Sequence, residues 1–280
     1  MSDISQTGPH GPKSPSEDAP AMAEASTLSS PEIYEVIRRD GEEELARPSS
    51  SLFWSGLAAG ALMSLSVLGE SILHHHLPDT PSRVLVENFG YCLGFIVVIL
   101  GRMQLFTENT ITTVLPALAE RSWRCLGCVA RLWALVFGAN LLGATLAAGF
   151  LQIPGVLTAG VLEAVRSVSQ HAVALDPLTG FLRAIPSGII IAALVWMIPR
   201  GQASSLFLII LFTWLIAVGD FTHVVAGSVE VAVLVIGGQL SFLDGLSGYI
   251  APVLAGNIIG GTLIFTALAW GQVSQELKTA

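Results

Sequence analysis

Charged side chains are scarce in this sequence. Only 12% of the 280 residues are charged, whereas 52% are hydrophobic, and soluble domains average about one-quarter charged residues. This excludes a typical soluble domain and indicates a membrane protein. The formal net charge of −8 says little about partners, because much of the acid lies in the N-terminal tail. It does not point to nucleic acid as a partner.

Cysteines and catalytic motifs are also missing. Three cysteines are too few for a disulfide framework, and the CxxC of Cys125 and Cys128 has no second pair or histidine-rich partner for zinc. Neither a nucleophile–base pair nor an HExxH set stands out, so we expect no enzyme, no cofactor and no metal centre. Three adjacent histidines, 74–76, cannot share one helix face, and we expect them to cap the end of a span.

The N-terminus lacks a basic start, an apolar core and a cleavage site, so it does not resemble a signal peptide. Residues 1–29 are rich in Ser, Pro and acid and lack aromatics, which predicts a disordered cytoplasmic tail. Residues 30–48 predict a short cytoplasmic or interfacial helix, with Ser30 as N-cap and Pro31 at its first position. Residues 273–280 are the predicted cytoplasmic C-terminal tail.

Six apolar blocks within residues 49–272 predict a transmembrane domain, since about 20 apolar residues cross a bilayer as a helix. They are 52–77, 84–105 with a continuation to 118, 132–152, 181–198, 205–218 with a continuation to 240, and 249–270. Six spans place both termini on one side. Arginines cluster before the first span and between the second and third, which predicts that both termini are cytoplasmic.

The second and fifth blocks are interrupted by polar residues and resemble each other. "LFTENTITTVL" carries Phe106 and Thr107 where "DFTHVVAGSVEV" carries Phe221 and Thr222. The following blocks also match, because "ANLLGATL" reads against "GNIIGGTL". Three spans per copy form an inverted 3+3 repeat in which the two broken helices meet near the midplane and line a pathway for a polar solute.

Backbone that leaves the helix inside a bilayer must be buried in protein or line an aqueous cavity. Thr, Asn and Glu after Phe106 supply partners for freed backbone groups and a polar wall for a solute. In the fifth span, Gly219 and Gly227 bracket the second break, where we expect them to permit unusual dihedral angles. Further glycines at 138, 143, 256, 260 and 261 predict close helix packing.

"LFTENT", "FGANLLGA", "GDFTHVVAGS" and "GNIIGGTL" together resemble the four signature stretches of the formate/nitrite transporter family, and the Glu-Asn after LFT is similar to its YfdC-like branch. The resemblance covers about residues 50–272. It implies an all-α, aquaporin-like protomer of six transmembrane helices with helices 2 and 5 broken, assembled as a pentamer in the bacterial inner membrane. It also implies passage of small monovalent weak-acid anions such as formate and nitrite, often with a proton.

The resemblance implies a central histidine at His223 and a polar partner at Thr107 in the first loop. A constriction is expected from Leu105 and Phe106. The remaining candidates fall into two groups. Residues expected to line the pore or contact solute are Thr222, Glu108 and Asn109. Residues expected to support the loops are Asn140, Asn257, Gly219, Gly227, Arg102 and Asp220.

Several positions depart from the family pattern. Gln104 and Thr222 stand where acids are frequent, Glu108 replaces a small residue, and Gly227 replaces a frequent Asn. Arg102 adds a cation, and Glu108 and Arg102 could either pair with each other or contact solute. Either Asp220 or Glu230 could cap a half-helix.

Two other functions stay open at this stage. A pore for a small neutral solute is one, although the paired Asn-Pro-Ala motifs of aquaporins are absent. A non-conducting membrane scaffold or sensor that signals through the N-terminal helix is the other.

Overall fold

The computed structural model describes residues 28–278 of the chain. Most of the predicted tail, residues 1–27, lies outside that range, as do residues 279–280. Helices account for most of the described chain, and we number them in chain order. They are α1 Ser30–Ala46, α2 Ser49–His76, α3 Arg83–Leu100, α4 Phe106–Thr112, α5 Val114–Glu120, α6 Trp123–Leu151, α7 Ala159–Val173, α8 Pro177–Met197, α9 Ser205–Val218, α10 Val224–Ile236 and α11 Phe242–Val273.

Five of these helices are long and apolar enough to cross a membrane, namely α2, α3, α6, α8 and α11. Helices α9 and α10 are shorter apolar segments separated by a non-helical stretch, and α3 is separated in the same way from the short helices α4 and α5. Helix α11 contains two π-helical sections, Gly245–Ile250 and Ile259–Thr266. The chain therefore folds as an all-helical bundle with two interrupted helices.

Helix α1 begins with a capping box in which Ser29 and Glu32 satisfy each other's backbone groups. The N-cap is thus Ser29, one residue before the predicted Ser30, because Glu32 then falls at the third helical position, as a capping box requires. On the opposite side, Ile33, Tyr34 and Ile37 are buried against residues of α4, α5, α8 and α11. This apolar face attaches α1 to the bundle.

Ion pairs occupy the exposed side of α1. Glu35 accepts hydrogen bonds from Arg38 and from Arg39. The pKa of Glu35 is lowered to about 2, mainly by its hydrogen bond with the Arg38 guanidinium. Glu35 therefore stays ionised near neutral pH. Its side chain is about one-third exposed, so solvent screening keeps the contribution of these pairs to stability small.

The two interruptions have the same backbone geometry. Arg102 follows α3 with φ of 50°, and Asp220 follows α9 with φ of 53°. One residue later, the Met103 amide donates to Val98 O and the Phe221 amide donates to Ile216 O, both at 3.0 Å. The left-handed residue turns the chain out of the helix, and a short extended or irregular stretch then leads into the next helix.

This equivalence corrects two sequence predictions. In three dimensions Phe221 corresponds to Met103, so the matching Phe-Thr letters are out of register although both interruptions exist. The unusual dihedral angles belong to Arg102 and Asp220, whereas Gly219 has φ of −76° and Gly227 lies inside α10. Gly227 instead provides space, because a Cβ there would be 2.3 Å from the Tyr249 ring.

Helix pairs α2–α6 and α8–α11 are in close contact through glycines. A Cβ on Gly60 would be 2.0 Å from Asn140 O, and one on Gly188 would be 2.3 Å from Asn257 O. Likewise, Gly143 approaches Leu57 O as Gly260 approaches Ile185 O. The two pairs therefore cross at equivalent places, each beside an asparagine.

Not every predicted packing glycine has this role. A Cβ added to Gly138 would meet nothing within 4 Å among the described residues, and the residue is exposed on the outside of the bundle. The prediction of close packing is wrong for Gly138 within one protomer, because the residue lies on the far side of α6 from α2.

We expect Gly143→Ala to destabilise the protein by about 1–3 kcal/mol, because the added methyl group would overlap the α2 backbone. The matched control is Gly127→Ala on the same helix, where a Cβ meets nothing within 4 Å and alanine favours the helix. Thermal unfolding in detergent measures both. Equal melting temperatures for the two variants would contradict the close contact.

Candidate pore site

Two fully buried asparagines hold the ends of the interruptions. Asn140 Oδ1 accepts from the Phe106 amide at 3.0 Å, and its Nδ2 donates to Gly56 O and Gln104 O at 2.7 and 2.9 Å. This one side chain therefore satisfies a free helix N-terminus and a loop carbonyl at once.

Asn257 makes the equivalent set of bonds at the second interruption. Its Oδ1 accepts from the Val224 amide at 2.9 Å, and its Nδ2 donates to Ala184 O and Thr222 O at 2.9 and 3.1 Å. Both asparagine side chains are occupied by backbone partners, which places them behind the site and away from any solute.

His223 caps α10 with its own side chain. Its Nδ1 accepts from the Ala226 amide at 3.3 Å, and its Nε2 lies 2.8 Å from Thr107 Oγ1. A backbone N–H can only donate, so a neutral imidazole carries its proton on Nε2 and donates it to Thr107. Because His223 fills the cap, neither Asp220 nor Glu230 does.

The His223–Thr107 hydrogen bond joins the two interruptions. Thr107 lies in the first turn of α4 and His223 at the start of α10, and both are at most 1% exposed. The edge of the imidazole also meets the Phe95 ring, with centroids 5.0 Å apart. A titratable group thus lies at the junction of the two half-helices, surrounded by apolar side chains.

On one side of this junction lies a small cavity of about 60 Å³, which we call the α7 chamber. His223 borders it, together with Tyr91, Tyr249 and two of its three carboxylates, Glu70 and Glu230. The remaining wall is formed by Asn88, Val168, His171, Ala172, Ala217, Asp220, Phe221, Thr222 and Gly227.

Beside the first interruption lies a larger cavity of about 310 Å³, which we call the α1 chamber. Asp40 and Glu44 of α1 contribute to its wall with Arg102, Glu108 and Asn109. Burial raises the pKa of Asp40, an effect that Arg102 partly offsets. Both charge signs are present in this chamber, unlike in the α7 chamber beside the histidine.

Gln104 links α1 to the first interruption. Its Nε2 donates to Glu44 at 2.6 Å and its Oε1 accepts from Asn109 Nδ2 at 3.1 Å. Its backbone N–H donates to Ser55 at 3.0 Å. The first loop is therefore held from three directions, one of which is the N-terminal helix.

Arg102 and Glu108 face the same chamber without forming an ion pair within 4 Å in the described chain. Glu108 Oε1 is buried and has no hydrogen-bond partner there. The suggested direct pairing of these two residues is not present, which leaves the Glu108 carboxylate facing the chamber.

The other predicted residues have different surroundings. Leu105 and Phe106 border neither chamber, and the Phe106 ring lies against Trp133 and Phe137 of α6. Thr222 borders the α7 chamber, but its hydroxyl donates to Gly180 O at 2.7 Å.

Charged residues secure the second loop from outside. Asp220 contacts Arg183 and lies 3.4 Å from His171 Nε2. Gly219 supports the same turn by lying under the Phe221 ring, where a Cβ would be 2.6 Å from it. At the end of α2, His74 contacts Glu87 at 3.0 Å.

Sequence reasoning missed several wall residues. Tyr91, Tyr249 and Glu44 carried no signal, because an aromatic in an apolar span or an acid in a surface helix is common. Glu70 did carry one: a lone carboxylate inside an apolar run is a functional candidate.

We expect Asn257→Ala to lower the stability markedly, because each buried backbone group left unpaired costs about 1–3 kcal/mol. Ser247→Ala on the same helix is the control, since that exposed hydroxyl bonds only to its own helix at Leu243 O. Melting in detergent compares the two. An Asn257→Ala protein as stable as the control would mean that the loop does not depend on this side chain.

Comparisons with known proteins identify related sequences and a shared fold. The family model described as formate/nitrite transporter matches residues 31–271. Inner membrane protein YfdC of Escherichia coli is 42% identical over 246 residues, which cover 88% of this chain and 79% of that protein.

Solved structures share the fold. A pentameric formate channel with formate bound has a TM-score of 0.69 at 20% identity, covering 81% of this chain and 98% of the channel. An FNT family ion channel has a TM-score of 0.75 at 18% identity, covering 86% and 98%. The family match over most of its length shows that this chain belongs to the formate/nitrite transporter family.

Proposed function

We propose that this protein is a membrane channel for small monovalent weak-acid anions, of the formate and nitrite type, which pass with a proton at His223. The observation that carries the proposal is the 2.8 Å contact between His223 Nε2 and Thr107 Oγ1, which joins the two interruptions beside the α7 chamber. Family membership supports the substrate class, since a solved relative in fold is a formate channel with formate bound.

The physical problem for such a channel is dehydration of the anion. An anion that leaves water for a narrow apolar passage loses several kcal/mol of solvation. The same solute in its protonated form is neutral and crosses at far lower cost. Imidazole takes up and releases a proton near neutral pH, so His223 in its imidazolium form can give a proton to the anion where dehydration begins and return to neutral imidazole.

The polar groups at the junction suit this step. Thr107 accepts the Nε2–H of His223, so the hydroxyl proton of Thr107 can be donated to a carboxylate or nitrite oxygen. Phe95 lies against the imidazole and keeps water from one side of it. This donor attracts the anion, and the apolar surroundings favour the neutral acid that forms.

We also propose that the two halves of the chain form an inverted 3+3 repeat of six spans. The matched turns at Arg102 and Asp220 and the matched bonds of Asn140 and Asn257 support this arrangement. Arginine placement favours cytoplasmic termini, and the α1 chamber then opens to the cytoplasm of the bacterial inner membrane.

We expect the purified protein to be a homo-oligomer, most simply a pentamer like the formate channel that shares its fold. The outward faces carry large apolar side chains, such as Leu146 and Phe150 on α6, which another protomer or lipid can cover. Light scattering in detergent measures the mass. A monomer at all protein concentrations would contradict the assembly.

The central test is weak-acid flux into proteoliposomes at several external pH values. We expect formate flux to rise as the external pH falls, and His223→Ala to lose that dependence while the oligomer remains. His223→Asn keeps a hydrogen-bonding side chain that does not titrate, so it separates proton transfer from polarity.

An unchanged pH profile in the His223→Asn protein would mean that His223 transfers no proton and is only a polar residue that lines the pore. Flux of a neutral solute without any anion flux would favour the neutral-solute pore instead. No flux of either kind would favour a membrane scaffold or sensor.

A further inference from the structure

Glu230 is a buried carboxylate that the proposed function does not use. It is 6% exposed and borders the α7 chamber. Its carboxylate makes no hydrogen bond or ion pair with another residue between 28 and 278. His223, Gly227 and Glu230 recur at helical spacing, so one face of α10 carries both titratable groups about 10 Å apart.

The lack of a side chain at Gly227 opens the space between these groups. A Cβ at Gly227 would overlap the ring of Tyr249 from α11, which instead lies over that turn of α10. Tyr249 and Tyr91 border the same chamber as His223 and Glu230. A small solute in this chamber therefore lies between the imidazole and the carboxylate.

Among the described residues, no cation on a neighbouring helix forms an ion pair with Glu230. The titratable groups that border the chamber with Glu230 are Glu70 of α2, Tyr91 of α3, His171 of α7, Tyr249 of α11, and Asp220 and His223 before α10. Glu87 of α3, Glu108 of α4, and Glu163 and Arg166 of α7 lie on neighbouring helices but do not border it. Helix α6 has only Arg124 and Arg131, toward its start and the α1 side.

The arginines on the helices around the α7 chamber each lie within 4 Å of a carboxylate other than Glu230, although the buried Nε of Arg166 has no hydrogen-bond partner among the described residues. Arg183 contacts Asp220, Arg83 contacts Glu87 at 3.3 Å, and Arg166 approaches Glu163 at 3.9 Å. Glu70 and Glu230 thus share one small cavity with no cation within 4 Å among the described residues.

This arrangement repels an anion whenever both carboxylates are ionised, because like charges interact strongly away from bulk water. Burial without a partner favours the protonated carboxyl group. A protonated Glu230 has an O–H that can donate to the anion, and it removes the repulsion at the same time. The chamber then accepts the anion only when it also holds a proton.

We propose that Glu230 is the proton-exchange residue of the α7 chamber. In the step, the Glu230 carboxyl group gives its proton to the weak-acid anion, so that a carboxylate and the neutral acid result, and the carboxylate is reprotonated from solvent through the chamber. The neutral acid then passes His223 and Thr107. This inference rests on the proposed transport of weak-acid anions, and it adds to His223 a second proton-exchange group on the α7 side of the junction.

The test compares Glu230→Gln with Glu163→Gln in proteoliposomes, using sodium formate as the probe and an enclosed pH dye to report proton entry. Glu163 is a matched control, because its exposed side chain lies on α7 at the same end of the protein. We expect Glu230→Gln to lose about tenfold or more of the formate-driven proton entry at about pH 5, and Glu163→Gln to match the wild type.

Infrared difference spectra between about pH 7 and about pH 5 supply a readout that does not depend on transport. The wild type and His223→Ala should both show a protonated carboxyl band that is absent from Glu230→Gln. If Glu230→Gln fails to assemble, Glu230→Asp replaces it: the shortened acid should shift the band and reduce proton entry.

The outcomes distinguish failure of the proposed function from failure of the Glu230 inference. Wild-type protein that carries no weak acid above protein-free vesicles would overturn the proposed function and this inference together. Wild-type protein that carries formate while Glu230→Gln keeps the full pH profile and the carboxyl band would overturn the inference alone. The same holds for a Glu230→Asp protein with unchanged flux and an unchanged band.

Discussion

The structure depends on satisfying backbone groups where two helices stop inside the bundle. A free N–H or C=O away from water costs several kcal/mol, and Asn140 and Asn257 each satisfy three such groups at once. A side-chain amide both donates twice and accepts, so leucine or aspartate at these positions could not replace it. The breaks, the chambers and the histidine contact all follow from these two residues.

Because the breaks are held from behind, the side chains in front of them are free for solute. Thr107 and His223 meet across the junction, and His223 borders the α7 chamber, which neither asparagine borders. The two chambers differ in charge: the wall of the α1 chamber contains Arg102 among acids, whereas Glu70 and Glu230 in the α7 chamber have no ion pair among the described residues. In the proposed function an anion meets different conditions on the two sides, and we propose that a proton makes the more acidic side passable.

The interrupted helices could be predicted from the sequence because polar residues rarely stand in an apolar run without a reason. The register that relates the two interrupted helices could not be predicted from the sequence. The repeated Phe-Thr letters suggested one alignment, but the backbone bonds of Met103 and Phe221 define another. The hydrogen bonds next to the two left-handed residues, Arg102 and Asp220, define which positions in the two halves are equivalent. The sequence does not show this equivalence, because the two side chains do not resemble each other. The prediction for Gly227 failed for a similar reason: this glycine leaves space for the Tyr249 ring and does not form a backbone turn.

By itself the sequence determined the class of the protein: apolar runs separated by few charges can only be stable as membrane helices, and four ordered motifs identify the family. It also determined the central histidine and its threonine, since both lie in those motifs. Only the tertiary structure decided which other side chains surround them. Glu70, Tyr91, Glu230 and Tyr249 come from four helices. Spacing along one helix cannot reveal a wall that forms only when several helices cross.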